Sequence, residues 1–310
     1  MLGRAQFLTR GFVAAAGAIS GLAGLETTKH VCIMDGAGAT TAAAAAPTSA
    51  GASPDYAAWD ACVKTHVKAG VIRGIPLNQV DYKGIRDDPN FVKFLASLEG
   101  AETKGEVLGK KGYYALWVNA YNALAIKTVT DNPTKKRALG FRKVNIGSIK
   151  DVGTLVSPVW KRPAGVVGGE TVSLDEIEHA RLRKPKDFPA DPRLHAAIVC
   201  ASVSCPDMST KAYMPETVEE DMAENLLLFL DNDKKGLRLD MGTGTLTLSK
   251  VFQWFAADFE KEGASVVDYL LPYMPQDAKA WLTDAANRAR VKLAYFDYDW
   301  GLNGPHPGPK

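Results

Sequence analysis

Apolar residues recur every three or four positions over Tyr56 to Ala69 and over Asn90 to Glu99, which predicts two amphipathic helices. Between Tyr113 and Thr130 the pattern changes: YYALWVNAYNALAIKTVT is apolar on nearly every side, as expected of a central helix buried all round. Ser173-Leu-Asp-Glu176 and Thr217-Val-Glu-Glu220 have capping-box spacing and predict helices through about Arg183 and Leu230. Ser249 predicts the cap of a third helix carrying Trp254, Phe255 and Phe259. Gly236 to Ser249 alternates around a Gly-Thr-Gly turn and predicts a β-hairpin. Short strands are expected at Val166 to Val172, His195 to Cys200 and Val291 to Phe296. The sum is an α+β fold: a helix-rich single globular domain over 55–303 with a small antiparallel sheet.

Outside that domain the pattern fails. The first 25 residues hold Arg4 and Arg10, a short run rich in Ala and Gly, and no acid. That run is too short to span a bilayer, so 1–25 reads as a targeting presequence and the chain as soluble with no transmembrane segment. The expected destination is non-cytosolic: an organelle (plastid or mitochondrion) or the secretory pathway. Residues 26–54 include a low-complexity Ala, Gly, Thr, Ser and Pro tract and read as a linker. The tail 304–310 is Gly- and Pro-rich and reads as disordered, with His306 solvated.

Composition narrows the function classes. A net charge of +2, with basic clusters only at Lys135-Lys136-Arg137 and from Arg181 to Lys186, predicts no nucleic-acid partner. Beyond Cys32 there are Cys62, Cys200 and Cys205, an odd number with no disulfide framework. No Walker loop, Rossmann fingerprint, H-E-x-x-H or G-x-S-x-G occurs, and no cofactor is expected.

The stretch Arg193-Leu-His-Ala-Ala-Ile-Val-Cys-Ala-Ser-Val-Ser-Cys-Pro206 carries the densest chemistry, because ionisable groups in an apolar run need a use or a partner. Cys200 is either a nucleophile or a small core hydrophobe. On an ideal strand His195 and Cys200 point to opposite faces, so the base for Cys200 is expected to come from His179, with His195 as the alternative. Glu178 or Glu176 would orient the imidazole. Asn119 and Asn122 lie on neighbouring faces of the apolar helix. They are either an oxyanion platform or amides tying loops to the core. His179, His195, Cys200 and Cys205 are acceptable zinc ligands, but the gap between the cysteines and the opposed strand faces argue against a metal, and none is expected.

These residues fall into five ordered motifs: Trp117-Val-Asn119-Ala-Tyr121-Asn122; Ser173-Leu-Asp-Glu-Ile-Glu178-His179 with Leu182-Arg183; Asp191-Pro-Arg193-Leu-His195 with Cys200 and Cys205-Pro206; Leu248-Ser249-Lys250; and Tyr298-Asp-Trp300-Gly-Leu-Asn303. In them the chain resembles the family catalogued as domain of unknown function 547. The resemblance implies family membership and says little about activity. It centres on the histidine and first cysteine, whereas the second cysteine position varies in the family, which further weakens a metal site. The leucine zipper of plant members has no counterpart here.

From residue types alone, the inventory is that of a cysteine-dependent hydrolase or acyl transferase acting on an amide or ester. Cys200 would be the nucleophile, Asn119 and Asn122 the oxyanion donors, and Arg193, with Trp117 and Tyr121, the substrate-binding residues. The partner would be a small-molecule or peptide substrate. The alternative is a non-catalytic subunit or binding module of an organellar or envelope protein complex.

Overall fold

The computed structural model describes residues 51–136, 143–260 and 263–308. The expected presequence, Cys32 and all but the last four positions of the expected linker lie outside them. The described part falls in one compact unit.

Helix α1 (Tyr56–His66) is capped by Asp55, whose side chain accepts from the Ala58 amide. It stops three residues short of the predicted end, because Val67 starts a hairpin of β1 (Val67–Ile72) and β2 (Ile75–Val80). The two residues at its turn, Arg73 and Gly74, both have positive φ, as a tight hairpin turn of this kind requires. Then come α2 (Tyr82–Asp87), α3 (Pro89–Glu99) and α4 (Gly105–Asp131), the last interrupted by the left-handed Gly109. From Gly112 to Ile126 every residue of α4 is buried, as its unbroken apolarity predicts.

Two short antiparallel pairs follow: β3 (Thr134–Lys136) with β4 (Lys143–Asn145), and β5 (Pro163–Val167) with β6 (Glu170–Ser173). The single strand expected at Val166 to Val172 is thus a hairpin, turned at Gly168-Gly169, both with positive φ. Ser173 caps α5 (Leu174–Glu176), which runs on as a π-turn over Ile177–Leu182.

The strand expected at His195 to Cys200 is absent. Leu194–Ala197 instead forms a one-turn helix, α6, and the chain becomes extended only at Ile198. Helix α7 (Val218–Asp231) forms where predicted, although the Thr217 hydroxyl bonds the Asp221 carboxylate instead of capping the backbone. β7 (Leu237–Asp240) and β8 (Thr245–Leu248) form the predicted hairpin, and β9 (Lys292–Tyr295) joins β8 in parallel. The helix capped by Ser249 breaks at Phe255 into α8 (Lys250–Trp254) and α9 (Ala256–Phe259). Helices α10 (Val266–Leu270), α11 (Gln276–Thr283) and α12 (Ala285–Ala289) lead to β9.

The result is the helix-rich α+β fold with small sheets. One apolar core surrounds α4 and another gathers α7, the three-stranded sheet and α8 to α11. Within the expected tail Pro305 is exposed, His306 and Gly308 are half-buried and Pro307 is buried. His306 Nε2 donates to the Pro133 carbonyl, and Arg86 donates to Pro307 O at 3.3 Å. Among the described residues, no helix is long and apolar enough to cross a membrane.

Candidate functional site

The cysteine loop is positioned by its neighbours from both ends of the chain. Asn122, on α4, donates from Nδ2 to Ala197 O at 2.9 Å and accepts from the Val199 amide at 2.8 Å. Ala201 then takes a left-handed conformation at φ 63°, which is costly for a residue with a Cβ. That turn folds the loop so that the Cys200 amide donates to Cys205 Sγ at 3.1 Å. The C-terminal motif clamps the same loop: Val203 N–H donates to Gly301 O at 2.8 Å, Asn303 N–H to Ala201 O at 3.1 Å, and Asp299 N–H to Ser204 Oγ at 2.8 Å. Buried Lys235 donates to Cys205 O at 2.7 Å from the other side.

Cys200 and Cys205 are free thiols with their sulfurs 3.0 Å apart. Cys200 Sγ also lies 3.1 Å from Ser202 Oγ and 3.4 Å from the Tyr298 hydroxyl, which is 3.0 Å from Ser202 Oγ. Cys200 resists ionisation because it donates to the Cys205 sulfur and because it is buried. Burial works against ionisation of Cys205 too, but the Cys200 thiol, the Tyr298 hydroxyl, the Cys200 amide and the charge of Lys235 outweigh it and hold Cys205 below the ordinary thiol range. The pair therefore gives up its first proton more readily than an isolated thiol and holds its second more tightly.

These sulfurs line a cavity of about 200 Å³ together with Tyr121, Glu178, His179 and His195. Trp160, Trp254, Phe255, Tyr298 and Trp300 form its aromatic wall. The π-turn of Ile177–Leu182, closed by Arg183 N–H donating to Glu178 O at 2.9 Å, carries Glu178 and His179 to this wall. Glu178 is half-buried, and the desolvation it suffers there, partly offset by Arg183, pushes its pKa up to about 7. Tyr121, the residue before Asn122, donates its hydroxyl to Glu178 at 3.4 Å.

The two histidines are not equivalent. Burial lowers the pKa of each, so both are biased toward the neutral imidazole. His195 Nε2 lies 2.7 Å from Asp258 Oδ2, and its ring stacks on Phe255 at 4.2 Å. Asp258, although partly desolvated, is held well below the carboxylate range by His195 and by two bonds from Arg183. An ionised carboxylate can only accept, so Nε2 carries the proton and Nδ1 keeps its lone pair. In His179 the order is reversed: Arg183 donates to Nδ1 at 2.8 Å, which occupies the lone pair of the neutral ring. Its other nitrogen faces Asp175 at 3.6 Å.

Of the residues singled out from the sequence, Tyr121, Glu178, His179, His195 and Cys200 meet at the cavity. The others are occupied elsewhere. Asn119 is sealed in the core, accepting from Trp59 Nε1 at 3.0 Å and from the Tyr213 amide at 3.1 Å, and donating to Ala115 O and Tyr213 O. Both Asn122 bonds go to the backbone that leads to Cys200. Arg193 is locked on Asp191 by bonds of 2.9 and 2.6 Å and on Glu219 O at 3.0 Å. Trp117 is buried beneath the Arg181 guanidinium, and Glu176 pairs with Arg181 rather than an imidazole. Among the described residues no group of three or more His, Cys, Asp or Glu is arranged to hold a metal ion.

The sequence pattern does not single out Asp258 or Trp160; Arg183, Ser202, Tyr298 and Trp300 enter it only as parts of motifs, and Trp254 only as a helix residue. An acid on a short helix has no local signal of its pairing with a histidine 63 positions away. Residues 106–230 match the model of the family described as protein of unknown function, DUF547. The chain resembles that family over a stretch holding both histidines and both cysteines of the cavity. No curated protein and no solved structure matches the chain.

Proposed function

We propose that this chain is a thiol-dependent hydrolase or acyl transferase acting on an amide or ester, with the Cys200–Cys205 pair as nucleophile and His195 as base. The observation that carries the reading is convergence on one cavity. A hydrogen-bonded sulfur pair, an Asp-held imidazole with its lone pair available, and a carboxyl group that titrates near neutrality all line it. His195 replaces His179 as the preferred base because Arg183 occupies the His179 lone pair. Tyr298 and Tyr121 hydroxyls replace the two asparagines as donors to an oxyanion, since both amides are consumed by the backbone.

In this scheme the thiolate adds to the carbonyl carbon, forming the C–S bond as the π pair moves to oxygen. Collapse expels the amine or alcohol, which takes its proton from neutral Glu178. His195 then removes a proton from water or an acceptor, whose attack on the thioester restores the thiolate; that proton returns to Glu178. The aromatic wall offers an apolar face to the part of the substrate beside the reacting group.

The test is alkylation of native protein by iodoacetamide across pH, mapped by mass spectrometry, alongside acylation by p-nitrophenyl esters. The pair should alkylate well before buried Cys62, with a rate that rises at lower pH than for an ordinary thiol. Esters should leave an acyl group on one of its sulfurs. A pair that stays unmodified at pH 7, while denatured protein labels fully, would leave the binding-module reading standing instead.

A further inference from the structure

The same two sulfurs have a second chemistry open to them. They face each other at 3.0 Å, so a disulfide bond needs them to close by about 1 Å, to roughly 2.05 Å. The loop between them is already folded back by the left-handed Ala201 and held by the 298–303 segment, so little chain entropy remains to be lost on closure. Their exposures differ in a useful way: Cys200 is half-buried, whereas Cys205 is buried. The third described cysteine, Cys62, is sealed in the core, and burial drives its thiol up to about 12. Cys62 cannot compete.

We propose that Cys200 and Cys205 form a reversible disulfide with a small-molecule disulfide as oxidant, and that this bond shuts the cavity's thiol chemistry off. Cys200, reached from the cavity, attacks one sulfur of the small disulfide as thiolate, having passed its proton to Cys205 or to solvent. The new S–S bond expels the other half as a thiolate, giving a mixed disulfide. Cys205 then loses its proton to solvent or to the expelled thiolate and attacks Cys200 Sγ, releasing the second half. Overall two protein thiols become one disulfide and one small disulfide becomes two small thiols, so two electrons and two protons are transferred. A dithiol reductant reverses it. The bond itself needs only the sulfur geometry; the shut-off rests on the acyl-transfer reading above.

Glutathione disulfide is incubated with the full chain, followed by intact mass, peptide mapping and ester acylation before and after dithiothreitol. The expected product is a chain lighter by two hydrogens, with Cys200 linked to Cys205 and Cys62 free. Acylation should be lost on oxidation and restored by dithiothreitol. Cys205→Ala should instead stop at glutathione attached to Cys200, which a merely accessible thiol resolved elsewhere would not do. A stable glutathione adduct on the parent chain, or no reaction in native protein, overturns the disulfide. A Cys200–Cys205 bond in a chain that never acylates keeps the redox pair and removes the acyl-transfer reading.

Discussion

The core around α1 and α4 and the cavity at Cys200 are both built from buried polar groups, yet they behave as opposites. In the core, each polar atom of Asn119 has a protein partner, and Cys62 sits among apolar side chains that suppress its ionisation. At the cavity, His195 has one nitrogen spoken for, Glu178 holds a proton it can give up near neutrality, and the Cys200 sulfur shares hydrogen bonds with two hydroxyls and with the Cys205 sulfur. Burial alone silences a residue. Burial beside a void, with hydrogen-bonding capacity left over, leaves it able to meet a ligand.

The sharpest way to break that contrast is Asn119→Leu. It strands the Trp59 indole N–H and the Tyr213 amide and carbonyl, so stability should fall by about 3 kcal/mol. Urea unfolding measures it, and an unchanged midpoint would mean the amide is not the sealed structural tie described. Cavity chemistry in a folded Asn119 variant should proceed at the parent's rate.

Asp258→Asn addresses the other region. The amide no longer fixes the proton on His195 Nε2 or pairs fully with Arg183, so acylation should slow on the order of 10²-fold. The slow-down should lie in the rate of the chemical step, with the probe's half-saturation little changed. Equal rates in parent and variant would remove His195 as base.

Glu178 gives a pH signature. Its carboxyl is held protonated to about 7, against an ordinary 4.5, so the folded state is disfavoured progressively as pH rises through that window and the penalty is complete above it. Glu178→Gln should therefore match the parent near pH 4 and exceed it by about 2 kcal/mol at pH 8, after allowance for solvent reaching the cavity. A stability difference that is flat from pH 4 to 8 would show an ordinary carboxylate.

The smallest effect belongs to Cys62→Ala, which removes a buried thiol from an apolar site and should lower stability by about 1 kcal/mol. The iodoacetamide profile of the cavity pair should not move; a shift would tie Cys62 to the site.

Local pattern and capping residues determined the Tyr113–Thr130 stretch of α4, the β7–β8 hairpin, the cap at Ser249 and the helix-rich α+β class, because each is dictated by residues within a turn or two of one another. The apolar run around them marked His195 and Cys200, since ionisable groups there demand an explanation, whereas Glu178 and His179 stood out by residue type on a capped helix and Tyr121 through its motif. Tertiary structure decided what each one touches. A one-turn helix where a strand was expected brings His195 and Cys200 to one cavity instead of opposite faces. Asp258, from a distant helix, makes His195 rather than His179 the imidazole with a lone pair to offer, and Arg193 spends its charge on Asp191 two residues away. Local sequence fixes where the backbone's own hydrogen bonds go. Which side chains are left with unspent capacity depends on contacts between residues far apart in the chain, and those exist only once it has folded.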